Sequence, residues 1–192
     1  MRRYSKYNNG YEYILTCIDY FSRKCWMRGL KNKTSNDVRQ ALQSITEEAG
    51  VRPYLIMKDN GGEFQGLVND WMREHGIKFV NTLSHSPQSN GLIERFNGTI
   101  RRMIREYFIR TNGFRWISIL PQLEENFNTM RNGTTKYSPN QLWIPESYPP
   151  DDADENNVPR SANEEQRQLV KQRIEEHAEK TKGKDILYNV GT

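Results

Sequence analysis

The stretch Tyr54-Leu55-Ile56-Met57-Lys58-Asp59-Asn60-Gly61-Gly62-Glu63-Phe64 decides the fold class. Its apolar run follows Pro53 and reads as a short strand buried on both faces. The run meets a carboxylate, Asp59, and then Asn60-Gly61-Gly62, which lets the backbone turn sharply and leaves room beside it. Open α/β sheets gather ligands at the carboxyl ends of their strands, and that is where this Asp stands. An Asp before Asn-Gly equally suits a turn closed by its own side chain.

Upstream, Asn8-Asn9-Gly10 signals a turn. Tyr11 to Asp19 and Lys24 to Leu30 then read as an antiparallel hairpin joined through Asp19-Tyr20-Phe21-Ser22-Arg23. Thr34 to Ala49 is a helix with Thr34 and Asp37 as its capping box. Val38, Ala41, Leu42 and Ile45 form its apolar stripe, and Gly50 ends it. Downstream come a helix over Leu67 to His75, stopped by Gly76, and a strand over Ile77 to Val80. A polar loop over Asn81 to Gly91 leads into a long helix, Leu92 to Arg110. Trp116 to Asn128 is a further helix, and a short one opens at Ser138-Pro139. The order predicts an α/β domain over residues 1–145, with helices packed on a mixed sheet. Residues 146–163, rich in Pro, Asp and Asn, read as a linker. Residues 164–181 form a charged helix with pairs such as Glu176 and Lys180. Asp185 to Val190 looks like a strand that begins near the terminus.

Charge divides the same way. Residues 1–145 hold 21 Lys and Arg against 13 Asp and Glu, whereas residues 146–192 hold 7 against 11. A basic body ahead of an acidic tail suggests a polyanionic partner for the body, although many basic proteins bind no nucleic acid. Cys17 and Cys25 form no metal-spaced set with His75, His85 or His177 and read as free thiols of a reducing compartment. No apolar run approaches the ~20 residues of a membrane span, and no signal peptide is visible, so the expectation is a soluble, intracellular protein.

The second carboxylate is Glu94, in Asn90-Gly91-Leu92-Ile93-Glu94-Arg95-Phe96-Asn97, with 34 residues between it and Asp59. A carboxylate at a strand end and another near a helix start can share divalent ions over a phosphate. Phosphoryl transfer needs an in-line nucleophile and neutralised phosphate oxygens, and Mg²⁺ takes hard oxygen ligands. Along the helix, Ile93, Phe96, Ile100, Met103, Ile104 and Tyr107 make the core stripe. Glu94, Arg101, Arg102 and Arg105 lie off it, which suits a metal site beside a phosphate backbone. A solvated helix Glu with a basic face behind it is the plain alternative. Lys58 and Arg95 flank the carboxylates as candidate phosphate contacts. His85 and Gln88, in the loop before Glu94, either touch DNA or are only polar loop residues.

Three words in this order resemble the catalytic core of retroviral-type integrases, in the DDE integrase/transposase superfamily. They are Tyr13 to Arg23, Lys58 to Phe64, and Ser86 to Asn97. The likeness covers about residues 8–145 and is nearest to integrases of Maverick/Polinton-type DNA transposons, with retrotransposon integrases the close alternative. It implies a ribonuclease-H-like fold and two Mg²⁺ (or Mn²⁺) ions in the intact enzyme. It also implies 3′-end processing and strand transfer, DNA ends and target DNA as partners, self-association, and action in the nucleus. Asp59 and Glu94 match the second and third carboxylates of the family. Asp19 matches a position that is structural there rather than the first catalytic Asp. That first Asp belongs on a central strand at or before Met1, and Met1 to Tyr7 contain no acid.

The chain is therefore expected to lack most of the central strand and one metal ligand, and to read as an internal fragment. The zinc-binding domain that often precedes the core is expected to be missing, and Tyr188-Asn189-Val190-Gly191 resembles the start of the family's C-terminal barrel. Three functions compete. The first is an integrase core. The second is an inactive DNA-binding remnant or domesticated fragment, and the third is a ribonuclease or resolvase on the same fold. The Asn90 to Asn97 word argues against the last.

Overall fold

Alternating side chains build the first unit, a hairpin of β1 (Tyr13–Ile18) and β2 (Cys25–Leu30) paired from Tyr13↔Leu30 to Ile18↔Cys25. The computed structural model describes residues 1–81, 87–143 and 164–181. Asp19 closes the hairpin's turn: its Oδ2 accepts from the N–H and the hydroxyl of Ser22, both at 2.7 Å. Successive residues of a strand point to opposite faces. Leu15 meets Trp26, Leu30 and the apolar stripes of α1 (Ser35–Ala49) and α2 (Leu67–Glu74). Ile14 and Ile18 point the other way, with Cys25 and Met27, onto α3 (Pro87–Thr111) and α4 (Leu120–Thr129). The hairpin is thus covered by helices on both faces.

Local signals set most of these elements. Thr34 Oγ1 accepts from the Asp37 N–H at 3.2 Å, and Gly50 ends α1 in the left-handed region at φ 69°. Trp116 to Asn128, expected as one helix, divides into a 3-10 turn over Ile117–Ile119 followed by α4. Pro121 in the first turn of α4 explains the break, because its missing N–H is tolerated only there. A 3-10 turn over Arg2–Tyr7, not expected from the sequence, leads into the hairpin. The long helix begins at Pro87, five residues ahead of the Leu92 expected. Proline is favoured at a first helical position, and the sequence reading treated it as loop.

The second unit is the parallel pair β3 (Leu55–Lys58) and β4 (Lys78–Asn81), in register from Leu55↔Lys78 to Lys58↔Asn81 and connected through α2. Among the described residues two sheets of two strands result, so β1 and β3 are each bonded there on one side. The sequence predicted β3 to be buried on both faces, and the structure corrects this. Ile56 and Phe79 pack on the core under α1 and α2, but the cross-strand pair Met57 and Val80 is 48% and 49% exposed.

The outer edge of β2 is closed by side chains of α4. The Asn128 amide exchanges two hydrogen bonds with the Cys25 backbone, each 2.9 Å, as a paired strand would. Glu124 Oε2 accepts from the Met27 N–H at 2.6 Å. Such side chains blunt an edge against further pairing. Burial pushes the Glu124 carboxyl above its ordinary range, against the Met27 hydrogen bond, which favours the charged form. A raised carboxyl pKa means the folded state holds its proton more tightly than the unfolded state. This group's contribution to stability therefore falls as pH rises from its ordinary value through the folded one. Glu124→Gln keeps an acceptor for Met27, so the variant should gain on the parent over the pH range that rises from the carboxyl's ordinary 4.5. Paired thermal melts across that range, giving a constant difference, would reject this account.

Helix α6 (Glu164–Thr181) lays Val170 and Ile174 on Phe21 and Leu142, the latter from α5 (Pro139–Leu142). The linker expected over 146–163 and the strand over 185–190 lie outside the described residues. Among the described residues, no helix is long and apolar enough to cross a membrane.

Candidate metal and nucleic-acid site

Asp59 follows the last residue of β3 and is exposed. One oxygen, Oδ1, accepts from the Gly61 N–H at 2.9 Å, which orients the carboxylate and closes the turn. Gly61 is required here for space rather than for an unusual φ. A Cβ on it would lie 2.5 Å from Glu63 Oε2 and 2.9 Å from Asp59 Oδ1. The loop therefore brings two carboxylates to one side of Gly61. Glu63, whose side chain is 9% exposed, pairs with Lys33. That hydrogen bond is the largest cause raising the Lys33 pKa, and the charge of Asp59 adds to it. Sequence reasoning passed over Glu63, although its place four residues after Asp59 was a usable signal.

Lys58, expected beside phosphate, is buried instead. Its ammonium donates to Asn81 Oδ1 at 2.9 Å and lies 5.1 Å from the Phe79 ring. The last residue of a short strand points back into the sheet, and burial lowers its pKa. Its described contacts tie β3 to β4. Asp19 is committed to the hairpin turn. Burial is the largest influence on its carboxyl and raises the pKa, opposed by the two Ser22 bonds and the Arg23 charge.

Glu94 is exposed on α3. Phe96, Ile100 and Ile104 of the same helix are buried, and Thr16 Oγ1 donates to Asn97 Oδ1 at 2.8 Å, which fixes α3 against β1. Arg95 is exposed, with its guanidinium folded back toward Gly91. Arg101, Arg102 and Arg105 are all exposed; Arg102 approaches Glu106 at 3.9 Å. Gln88 lies in the first turn of α3 rather than in a loop, with its side chain outside the described residues, as is His85. Asp59 and Glu94 offer hard oxygen donors, the type Mg²⁺ takes. Among the described residues, no three His, Cys, Asp or Glu side chains converge on one point. The donors fit such an ion in kind, and the described residues supply fewer than a closed site would.

No protein-family model matches the chain. It is similar to a transposon-derived protein of Caenorhabditis elegans, 34% identical over 134 residues that make up 69% of this chain and 46% of that protein. It is also similar to the Pro-Pol polyprotein of Simian foamy virus type 1, 29% identical over 70% of this chain and 12% of the polyprotein. The chain thus spans less than half the length of either. Among solved structures, the HTLV-2 integrase catalytic core, determined in complex with magnesium, superposes with a TM-score of 0.59 at 20% identity, covering 68% of this chain and 84% of that one. The BIV integrase catalytic core gives a TM-score of 0.58 at 18% identity over the same shares. Those likenesses show the fold. A carboxylate-ended strand, a docked helix with a basic exposed face, and relatives among Pol polyproteins and transposon-derived proteins agree: the chain is an integrase-core-like domain of ribonuclease-H-like fold.

Proposed function

We propose that the chain is a DNA-integration core of the DDE class. Asp59 and Glu94 hold divalent ions there, while Arg95, Arg101, Arg102 and Arg105 neutralise DNA backbone. The observation that carries this reading is the Asp59 loop. One carboxylate oxygen is oriented by Gly61 N–H, at an exposed strand end in an integrase-like fold. Asp59 and Glu94 would hold the divalent ions, whose chemistry when bound would be to activate an attacking oxygen and neutralise charge on the leaving one. The chain's own residues do the rest. Gly61 holds Asp59 in one orientation, Asn97 fixes α3 to the hairpin, and the arginines counter phosphate charge. Self-association and action on DNA ends in a nucleus belong to the same proposal.

A second reading is favoured by one observation: among the described residues the acids near Asp59 and Glu94 do not make a set of three. On that reading the chain is a DNA-binding remnant that holds duplex through α3 and does not cut it.

The test uses a labelled duplex with Mg²⁺ or Mn²⁺. The first reading expects metal-dependent nicking or joining that falls about 10³-fold in Asp59→Asn and in Glu94→Gln. The second expects duplex binding without cleavage, weakening with salt and losing about one unit of log–log slope per arginine neutralised at 101 or 105. Cleavage indifferent to both carboxylate variants would reject the first reading, and salt-independent binding would reject both.

A further inference from the structure

The N-terminal turn and the far end of α3 meet in an aromatic cluster that the carboxylate site does not use. Tyr4 stacks on Phe114 with ring centroids 5.1 Å apart and planes 15° from parallel. Phe108 meets both rings edge-on, at 5.0 Å and 5.5 Å. Tyr7 tilts against Phe114 at 5.4 Å. Tyr7 and Phe114 nonetheless remain 42% and 41% exposed, and they line an open cavity of about 450 Å³ with Tyr107 and Arg115.

One buried side chain ties this surface together. Asn8 is fully buried beneath it and donates from Nδ2 to the carbonyls of Tyr4 and Phe114, each at 2.8 Å. Its Oδ1 accepts from the N–H groups of Trp116 and Ile117 at 2.7 Å and 3.0 Å. One side chain therefore sets the spacing of the two segments that carry the exposed rings. A preformed cavity with aromatic walls binds without the cost of ordering those walls.

Arg115 lines the cavity, and the segments that carry its rings are basic, bounded in sequence by Glu12, which pairs with Arg2, and by Glu106. Residues 1–11 and 107–123 contain five Lys and Arg and no Asp or Glu. Arg3 lies 4.7 Å from the Tyr4 centroid and Lys6 lies 4.9 Å from that of Tyr7, so cations border the rings they flank. Arg110 and Arg115 are exposed on the α3 side. Exposed aromatic faces between fixed cations suit a ligand that is flat, apolar on its faces and joined to phosphates. Paired bases hide their faces in the stack, and unpaired ones present them.

We propose that the Tyr7–Phe114 slot binds unpaired nucleotides of a single DNA strand, with a base stacked on the exposed rings and its phosphates against Arg115, Arg110, Lys6 and Arg3. Tyr107 lies thirteen positions along the helix from Glu94, which is about 20 Å at ~1.5 Å per residue. The slot is therefore a separate site on the same helix, and it stands whether or not Asp59 and Glu94 hold metal.

The experiment measures affinity of the full chain for a fluorescent oligo-dT 12-mer and for a 12-base-pair duplex, by anisotropy at fixed salt. Tyr7→Ala is expected to weaken single-strand binding about tenfold, ~1.4 kcal/mol, and to leave duplex binding within twofold. Tyr7→Phe should keep parental single-strand affinity, because the ring and not the hydroxyl stacks. Arg115→Gln should weaken single-strand binding more at low salt than at high salt. Equal losses for single strand and duplex, or no loss for either, would overturn the proposal. So would sedimentation showing that Tyr7→Ala dissociates an oligomer while single-strand affinity stays unchanged, since the slot would then seat a second copy of the chain.

Discussion

Asn8→Ala should unfold this domain under conditions where the parent is stable. The side chain is fully buried and makes four hydrogen bonds, to the carbonyls of Tyr4 and Phe114 and from the amides of Trp116 and Ile117. Alanine removes all four partners at once and fills none of the space. Each buried polar group left unsatisfied costs ~1–3 kcal/mol, so a loss of about 3–5 kcal/mol is expected even if water reaches one or two of them. That is a large share of the ~5–15 kcal/mol that holds a typical domain together, and it corresponds to a fall in Tm on the order of 10 °C. Asn8→Asp keeps the two acceptor contacts, loses both donors and buries a charge, so it should be at least as damaging. Chemical denaturation of the two variants checks this. A loss under about 1 kcal/mol for Asn8→Ala would mean that the turn and the Trp116 segment are held by their aromatic contacts alone.

The contrast between what this chain's sequence reveals and what it hides follows from the range of the interactions. The cap at Thr34, the stop at Gly50 and the stripe Val38, Ala41, Leu42, Ile45 are local, set by residues within a few positions, and they were readable. So were the hairpin, the exposed arginines of α3, and the placing of Asp59 at a strand end and Glu94 on a helix, because each lies in a compact word. Asn8 reads locally as a turn residue, whereas its partner Phe114 is 106 positions away. Asn128 reads as a helix end, whereas it bonds Cys25 across 103 positions. No periodicity signals such a bond. Lys58 was misplaced for a related reason: a cation beside Asp59 suggests a surface phosphate contact, but strand alternation turns it inward to Asn81. The start of α3 was missed because the run Pro87-Gln88-Ser89-Asn90-Gly91 carries strong turn residues, and only the favourable place of proline at a helix start pointed the other way.

Amide exchange along β1 should alternate between slow and fast, residue by residue, by about 100-fold or more. The register decides which amides are which. The Asp19 N–H donates to the Lys24 carbonyl at 2.7 Å, so Asp19–Lys24 is a bonded pair. In an antiparallel ladder, bonded pairs recur at every second residue, which makes Cys17↔Trp26 and Leu15↔Arg28 the next ones. The N–H groups of Leu15 and Cys17 therefore point to β2 and should exchange slowly. Those of Ile14, Thr16 and Ile18 point to the edge that no strand bonds among the described residues. Side chains cannot level the difference, since Ile14 and Ile18 pack on α3 and α4 just as Leu15 packs on α1 and α2. Both sets of side chains sit under helices, so the direction of the N–H alone separates them. Exchange measured by NMR on the isolated chain would decide it. Slow exchange at all five amides would mean that a further strand pairs with β1 and that the two sheets are one in solution. Alternation would mean that β1 carries an open edge beside a covered core, a place where an extended segment could add backbone hydrogen bonds without disturbing either face.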